Sequence, residues 1–147
     1  MKLDLSIIIV NYNTFELTSR CIESIQDKVK SIQYEIILVD NASIEKDPED
    51  FKIKYPTITL VKSDTNLGFA KGNNLGISHA TGKYILLLNS DCELMNNAPL
   101  VCFKYMEENP QCGMSTVRLQ YPDGRLQYNC RRFRTIKWEL LEIIPLY

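Results

Sequence analysis

The sequence of 147 residues is 45% hydrophobic and 24% charged, and its formal net charge is -1. These values are typical of a globular protein with a single domain. The near-zero net charge excludes a general attraction to nucleic acid or to an anionic membrane surface. Five cysteines without a CxxC pair and a single histidine argue against a zinc site and favour reduced thiols, as in a cytoplasmic protein.

Four short apolar segments, rich in β-branched residues and leucine, predict four β-strands. Polar or turn-forming residues bound each of them, and a candidate helix or loop separates each from the next. Strands that alternate with helices at this short spacing are typical of βαβ units, so we expect an α/β fold with a mostly parallel sheet. The predicted strands are Leu5–Val10, Glu35–Val39, Ile58–Val61 and Tyr84–Leu88.

The segments between the strands carry helix signals of unequal strength. Thr14 is placed to cap a first helix, whose apolar residues keep helical spacing. The charged stretch Glu45–Asp50 predicts a solvated loop or the start of a helix. We expect Gly68–Ile77 to be a loop that enters a helix, with Gly82 ending that helix in a left-handed conformation.

The fourth strand, Tyr84–Leu88, is a continuous apolar run that leads directly into Asn89-Ser90-Asp91. Such a run predicts a central strand of the parallel sheet, covered on both faces. A carboxylate at the carboxyl end of the strand can hold a hard divalent cation, which in turn can neutralise a diphosphate. The alternative is that these three polar residues only cap the following helix.

The polar residues that follow the four strands are expected to lie together. Parallel strands joined by right-handed crossovers end at the same edge of a sheet, and open α/β sheets bind ligands in the crevice at that edge. Asp40 has two open interpretations: it accepts hydrogen bonds from a base or ribose, or it starts a helix. The residues expected to converge are Tyr12, Asp40, Asn66 and Asp91.

The glycine-rich segment Gly68–Gly76 follows neither GxGxxG nor GxxxxGK(S/T), two common phosphate-binding patterns. Its glycines are equally compatible with a tight loop. Lys71 either pairs with phosphate or is solvated, and His79 is best explained as a cap or packing residue near a helix end. By itself, this segment does not predict a phosphate site.

Beyond the fourth strand, the regular alternation stops. A helix is predicted over Leu100–Glu108 and a strand over Met114–Leu119. Tyr121–Arg125 has the composition of a turn, and it connects to a returning strand at Leu126–Cys130 in a hairpin. The remaining predicted features are the basic cluster Arg131–Arg134 and an apolar helix over Ile136–Tyr147.

Five sequence segments, taken together, are specific enough to indicate a family. They are Ser6–Thr14, Glu35–Ser43, Asn66–Ile77, Ala80–Asp91 and Asp123–Thr135. In this order they resemble the family 2 glycosyltransferases, which have the GT-A fold, a Rossmann-like α/β/α sandwich that binds nucleotide-diphospho-sugars. The sequence is most similar to the rhamnosyltransferase-like branch, because Asn89-Ser90-Asp91 stands where other members have the metal-binding Asp-x-Asp.

The resemblance implies roles for individual residues. It places Val10 and Tyr12 against the nucleotide base, and Asp40 on the base or ribose. Asp91, with Asn89 beside it, is implied to ligate Mg²⁺ or Mn²⁺, which bridges the diphosphate of the sugar donor. The residues implied to line the rest of the donor pocket are Asn66, Lys71 and Asn74.

The resemblance also implies a division of the domain, with a nucleotide-binding βαβ core in residues 1–95 and part of the acceptor side in residues 96–147. An inverting transferase needs a general base that deprotonates the acceptor hydroxyl. In the family, an acidic motif of a later segment supplies that base, and the sequence to Tyr147 does not contain it. Glu139 and Glu142 do not match the motif, so we assign no catalytic residue.

The expected function is binding of a UDP-, dTDP- or GDP-linked sugar, for transfer to a saccharide or lipid-linked acceptor in cell-surface polysaccharide synthesis. An alternative is a catalytically incompetent donor-binding remnant or a protein-interaction module, in which the apolar segment from Trp138 to Ile144 forms a homodimer or packs on another partner. Peripheral contact with the inner face of the membrane, through Arg131–Lys137, is a third alternative. No segment interleaves aromatic and basic residues as nucleic-acid binding requires.

Overall fold

The computed structural model describes residues 3–127 of the chain. Residues 1–2 and 128–147 lie outside the described part, and with them lie the end of the predicted returning strand, the basic cluster and the apolar C-terminal segment. The chain divides into one unit that ends at Ser115 and a second that begins at Thr116. Within residues 3–127, no helix has both the length and the apolar character needed to span a bilayer.

In the first unit, strands and helices alternate as the sequence predicts. Each predicted strand is present, and neither end differs by more than one residue from the predicted bounds. The predicted helix near residue 100 is also confirmed. In chain order the elements are β1 (Leu5–Asn11), α1 (Phe15–Lys28), β2 (Tyr34–Asp40), α2 (Glu49–Lys54), β3 (Thr59–Lys62), α3 (Gly68–Ile77), β4 (Tyr84–Asn89) and α4 (Ala98–Glu108).

The four strands form one parallel sheet in the order β3-β2-β1-β4. Ile7 of β1 lies opposite Ile36 of β2 on one side and Leu86 of β4 on the other. Because every strand runs in the same direction, the carboxyl ends share one edge. The predicted α/β fold with a mostly parallel sheet is therefore confirmed, and so is the common edge.

The main core lies on one face of this sheet. Ile7 and Ile9 of β1 and Leu38 of β2 are fully buried there, in one cluster with apolar residues of α1 and α2. Phe15 at the start of α1 stacks on Phe51 of α2, with ring centroids 4.2 Å apart. Burial of side chains of this size contributes about 1.5–3 kcal/mol each to folding.

The opposite face of β1 and β2 is covered by α3, which approaches through glycines. A Cβ atom on Gly76 would lie 2.4 Å from Ile8 Cγ2 and 3.1 Å from Val39 Cγ2. A Cβ atom on Gly72 would lie 3.0 Å from Val10 Cγ1. The glycines of the segment therefore allow a helix to pack closely on the sheet. The sequence predicted a loop that enters a helix here, whereas the whole of Gly68–Ile77 is helical.

The expectation of a central β4, covered on both faces, is wrong for the described residues. β4 stands at the end of the four-stranded sheet, beside β1. Its side chains alternate: Leu86 packs towards the core, whereas Ile85 and Leu87 are 45% and 48% exposed. The reason is that α3 packs on β1 and β2.

Gly82 does not end α3 in a left-handed conformation, contrary to expectation. The helix ends at Ile77, and the positive-φ glycines of the described residues are Gly68 and Gly124. A Cβ atom on Gly82 would lie 2.5 Å from the backbone nitrogen of Ser6. Gly82 is therefore explained by close approach of two backbone segments at the amino end of the sheet.

The second unit contains the predicted hairpin. β5 (Leu119–Gln120) pairs antiparallel with β6 (Leu126–Gln127), so the strand expected over Met114–Leu119 is shorter and begins later. The turn closes through a hydrogen bond from Tyr121 N to Arg125 O of 2.9 Å, and Gly124 adopts a φ of +83°. The turn chemistry in the sequence was therefore a correct guide to the hairpin.

Candidate functional site

Asp40, the last residue of β2, is buried at the carboxyl edge of the sheet, with 2% of its surface exposed. Its Oδ1 accepts a hydrogen bond of 2.8 Å from the Asn11 amide, and its Oδ2 accepts one of 3.1 Å from Ser43 N. No helix starts here, because α2 begins at Glu49, so that interpretation of Asp40 is wrong. Two of the roughly four acceptor positions of the carboxylate are in use.

Asn11, the last residue of β1, is a fully buried hydrogen-bonding centre that the sequence did not reveal. Its Nδ2 donates to Asp40 and, at 2.9 Å, to Ser43 Oγ. Its Oδ1 accepts from the hydroxyls of Thr14 at 2.9 Å and Thr18 at 3.0 Å. An asparagine that ends an otherwise apolar strand was the one available signal, since a buried amide needs partners.

The loops after β1 and β2 are joined to each other by side chains. Asn13 Oδ1 accepts from Ile44 N at 2.8 Å and Glu45 N at 3.2 Å, and Asn13 N donates to Ser43 Oγ at 3.0 Å. Asn13 and Ala42 both have a positive φ, of 53° and 65°. For alanine this conformation costs about 1–2 kcal/mol, so the surrounding hydrogen bonds hold the loops in a strained form.

Asn66 lies next to the end of β2, as the common strand edge predicted. Its Oδ1 accepts from the Asn41 amide at 2.9 Å and from Gly68 N at 2.8 Å. Asn41 is itself buried and accepts from Leu67 N at 2.9 Å. The residue after Asp40 is thus tied to Asn66, which brings the segment before α3 to the same edge.

The other predicted donor-side residues are distributed around this edge. Tyr12 is 46% exposed directly after β1, and Val10 is half-buried against Gly72 of α3. Lys71 and Asn74 are both exposed on α3, so Lys71 belongs to a helix and not to a loop. His79 is exposed just beyond the end of α3.

The turn Asn89-Ser90-Asp91 does not cap a helix. The following helix, α4, begins at Ala98, and its cap is Asn97, whose Oδ1 accepts from Leu100 N at 3.4 Å. The helix-cap alternative for the turn is therefore wrong. Asp91 is exposed to solvent at the end of β4.

Instead, α1 holds the turn and the residues after it. Cys21 Sγ donates to Asn89 O at 3.6 Å, and Thr14 Oγ1 lies 3.3 Å from Ser90 Oγ. Further along, the Ser24 hydroxyl accepts from Leu94 N at 2.9 Å. The two residues in each of these contacts are 68 to 76 positions apart in the chain. A single sequence gives no indication that residues so far apart meet.

Cys21 is a neutral thiol beneath this turn. Burial raises its pKa to about 12, with smaller contributions from the nearby groups Cys92, Asp91 and Glu93. A thiol in this state carries almost no thiolate at neutral pH, and the thiolate is the reactive form. Cys21 is therefore a packing residue and not a nucleophile.

The donor set near Asp91 fits one kind of metal binding. Among residues 3–127, no three His, Cys, Asp or Glu side chains are grouped so that they could hold a metal ion. Mg²⁺, however, is commonly bound through one or two carboxylates together with waters and substrate phosphates. Asp91 therefore fits an ion that is shared with a diphosphate, and it does not fit a site that retains the ion without one.

Comparison with known proteins identifies the family. The family model for glycosyl transferase family 2 matches residues 6–144. The chain belongs to glycosyltransferase family 2. The poly(ribitol-phosphate) beta-glucosyltransferase of Bacillus spizizenii is 30% identical over 126 residues, which cover 82% of this chain and 20% of the relative. An uncharacterized glycosyltransferase of Haemophilus influenzae is 29% identical, over 72% of this chain and 35% of the relative.

Solved structures give the same fold for this glycosyltransferase chain. S. aureus TarS 1–349 in complex with UDP superposes with a TM-score of 0.65 at 20% identity, covering 74% of this chain and 33% of that one. The mannosyltransferase PcManGT from Pyrobaculum calidifontis, in complex with GDP-Man and Mn²⁺, gives 0.63 at 22% identity, covering 72% and 33%. These values confirm the GT-A fold. The family 2 chain spans about a third or less of the length of these relatives.

Proposed function

We propose that this chain binds a nucleotide-diphospho-sugar, with Mg²⁺ or Mn²⁺ shared between Asp91 and the diphosphate. The observation that carries the proposal is the arrangement of two carboxylates on one sheet edge: buried Asp40 at the end of β2 and exposed Asp91 beyond the end of β4. The first is held rigidly for recognition, and the second is free to take a cation. TarS with UDP and PcManGT with GDP-Man and Mn²⁺ support this proposal.

At the nucleoside end, the residues of this chain can provide specific recognition. Asp40 is fixed by Asn11 and Ser43 N, and its two remaining acceptor positions can take an N–H of the base or a ribose hydroxyl. Tyr12 is exposed directly after β1 and offers a ring for contact with the base, and Val10 supplies an apolar surface. Because Asp40 is already oriented, little side-chain entropy is lost on binding.

At the diphosphate end, the chemistry requires stabilisation of negative charge. Cleavage of the sugar–phosphate bond leaves a nucleoside diphosphate, whose charge grows in the transition state. A divalent cation beside Asp91 would supply positive charge there without proton transfer. Lys71, exposed on the first turn of α3, can add a second positive charge, and Asn66 and Asn74 can donate hydrogen bonds to the donor.

We propose that the whole protein transfers the sugar with inversion to a saccharide or lipid-linked acceptor in cell-surface polysaccharide synthesis. The poly(ribitol-phosphate) beta-glucosyltransferase supports a polymeric acceptor of this class. Inversion requires a base at the acceptor hydroxyl, and we assign none of the described residues to that role. Donor binding does not depend on this base.

Calorimetric titration with UDP, dTDP and GDP, each with Mn²⁺ or with EDTA, tests donor binding. We expect one nucleotide to bind, and to bind at least tenfold more tightly with Mn²⁺. Asp91→Ala should abolish this gain, whereas Asp27→Ala, an exposed carboxylate at the far end of α1, should retain it. Absence of binding to all three nucleotides, in a folded protein, would overturn the proposal.

The second candidate function is a protein-interaction module, and the exposed apolar side chains of β4 favour it. Ile85 and Leu87 are 45% and 48% exposed on the strand that ends the sheet within residues 3–127, and exposed apolar faces often mark contact sites. In this case Asp91→Ala would leave every measured property of the chain unchanged, and Ile85→Ser would alter its association in sedimentation experiments. The titrations above therefore separate the two functions.

A further inference from the structure

We propose that Thr14 is a positioning residue that joins the two ends of the donor site, through the hydrogen-bonded series Asp40, Asn11, Thr14 and Ser90. This inference rests on the proposed function. It assigns a role to Asn11 and Thr14, two residues that the proposed function does not place against the donor. The role is to fix the place of the turn that carries Asp91 relative to Asp40.

The first step of the series is the amide of Asn11, whose orientation is determined. Its Nδ2 faces Asp40 Oδ1 at 2.8 Å, and its Oδ1 faces Thr14 Oγ1 at 2.9 Å. A flipped amide would place oxygen against the carboxylate and would leave the threonine hydroxyl without its acceptor. Because Asn11 is fully buried, no water can compensate for a flip, so the amide keeps this orientation between Asp40 and Thr14.

The second step is Thr14, which stands at the N-cap of α1 but does not act as a side-chain cap. Its hydroxyl accepts no hydrogen bond from a backbone N–H of the helix, although it lies 3.3 Å from Thr18 Oγ1. The one hydroxyl proton can go to Asn11 Oδ1 at 2.9 Å or to Ser90 Oγ at 3.3 Å. Thr14 N also donates to Asn11 Oδ1, at 3.3 Å, so Thr14 stays bonded to Asn11 when its hydroxyl donates to Ser90. A residue type that usually bonds to its own helix is therefore used here to connect β1 with the turn after β4.

The third step is Ser90, which gives the turn its direction. Ser90 is partly buried against Thr14, whereas Asn89 and Asp91 on either side of it are exposed. The contact with Thr14 thus points the Asp91 side of the turn outwards at the strand edge. Loss of the Thr14 hydroxyl should leave Asp40 in place, since Asn11 still has Ser43 and Thr18 as partners, but should release the turn.

A matched pair of substitutions tests this role. Thr14→Val keeps the shape of the side chain and removes the hydroxyl, and Thr14→Ser keeps the hydroxyl. The measurement is the dissociation constant of the nucleotide that binds best among UDP, dTDP and GDP, taken once with Mn²⁺ and once with EDTA. The ratio of the two constants measures the contribution of the metal at Asp91. The constant in EDTA measures nucleotide binding without the metal, and so the contribution of the residues around Asp40.

We expect Thr14→Val to reduce the gain from Mn²⁺ about tenfold, the effect of one lost hydrogen bond, with the EDTA value within about twofold of wild type. Thr14→Ser should keep the full gain from Mn²⁺, because it keeps the hydroxyl. Ser90→Ala removes the other partner of the contact and should reduce the gain as Thr14→Val does. If Thr14→Val fails to fold, as judged by circular dichroism, Ser90→Ala alone decides.

Three results would overturn the inference. An unchanged gain from Mn²⁺ in Thr14→Val and Ser90→Ala would show that the contact does not position Asp91. An equal loss with and without Mn²⁺ would indicate a general structural effect instead of positioning of one end. Wild-type protein that binds no nucleotide would overturn the proposed function and this inference together, a result distinct from the first two.

Discussion

The amide of Asn11 donates to Asp40 Oδ1 at 2.8 Å, and this bond joins the last residue of β1 to the last residue of β2. Both side chains are almost completely buried. Together with the bond from Ser43 N to Oδ2, this bond satisfies a carboxylate in the protein interior, where an isolated charge is costly. The stability of the chain and the geometry of the proposed donor site therefore both depend on this contact.

The first prediction concerns this contact. Asn11→Asp places a second carboxylate against Asp40, and we expect a loss of about 3 kcal/mol in the free energy of unfolding at pH 7. The mutual repulsion raises one carboxyl pKa above its unfolded value, so the folded state binds an extra proton as the pH falls. The loss should therefore shrink between pH 7 and pH 5 in urea denaturation.

Asn11→Ala is the control for that experiment. It removes the donor without adding a charge. Its loss of stability should therefore change less between pH 7 and pH 5 than that of Asn11→Asp. If both variants show the same pH dependence, or if neither loses stability, the hydrogen bond between Asn11 and Asp40 does not contribute as described.

The second prediction concerns Glu35 at the amino end of the sheet. Burial alone would raise its pKa, but hydrogen bonds from the Ser6 hydroxyl, from the backbone and hydroxyl of Thr81 and from the backbone of Gly82 together lower it. A depressed carboxyl pKa stabilises the fold above the unfolded value, about 4.3, and this contribution is lost as the pH falls through the folded value.

Glu35→Gln isolates the effect, because the amide keeps an acceptor oxygen and loses the charge. We expect wild type to be more stable than the variant at pH 6, with the difference shrinking as the pH falls below the unfolded pKa of about 4.3. Urea denaturation of both proteins across this range is the measurement. A difference that stays constant down to pH 3 would contradict the role of the charge.

The sequence predicted the regular part of this fold well. Apolar runs such as Leu5–Val10 identified the strands, and their alternation with helices predicted the parallel sheet and its common edge. The prediction of the strands and the sheet succeeds because strand formation and the right-handed crossover depend on local composition and chain geometry. The family resemblance, confirmed by the match to residues 6–144, rests on the same local segments.

What the sequence could not supply are contacts between distant loops. The partners of Asn11 lie in α1 and in the loop after β2, and Ser90 meets Thr14 across 76 residues of sequence. A single sequence carries no signal for such pairs. The exposure of Ile85 was missed for a related reason, since apolar character alone does not tell whether a strand is central or terminal in its sheet.

The third prediction tests the close packing of α3 on the sheet. A Cβ atom on Gly76 would meet Ile8 Cγ2 at 2.4 Å and Val39 Cγ2 at 3.1 Å, and both side chains are buried on rigid strands. Overpacking of this kind costs about 1–3 kcal/mol, which exceeds the gain of about 1 kcal/mol from alanine in a helix. We expect Gly76→Ala to destabilise the protein in thermal denaturation.

Gly113→Ala is the matched control, because a Cβ atom there meets no atom within 4 Å. Its free energy of unfolding should stay within about 0.5 kcal/mol of wild type. Equal stability of the two variants would mean that α3 can move away from Ile8 without cost, which would contradict the packing described here.

The fourth prediction concerns the order in which metal and nucleotide bind. Asp91 is a single exposed carboxylate, and the residues between 3 and 127 hold no cluster of three metal-binding side chains. One carboxylate with waters binds a divalent ion weakly, whereas the diphosphate adds further oxygen ligands. We therefore expect Mn²⁺ alone to show no saturable binding in calorimetry below about 1 mM, and to bind only after UDP, dTDP or GDP has been added.

Asp91→Asn, which keeps the shape of the side chain and removes its charge, should weaken the complex of protein, nucleotide and Mn²⁺ and leave nucleotide binding in EDTA unchanged. Stoichiometric binding of Mn²⁺ to the free protein would contradict a shared ion and would require ligands other than Asp91.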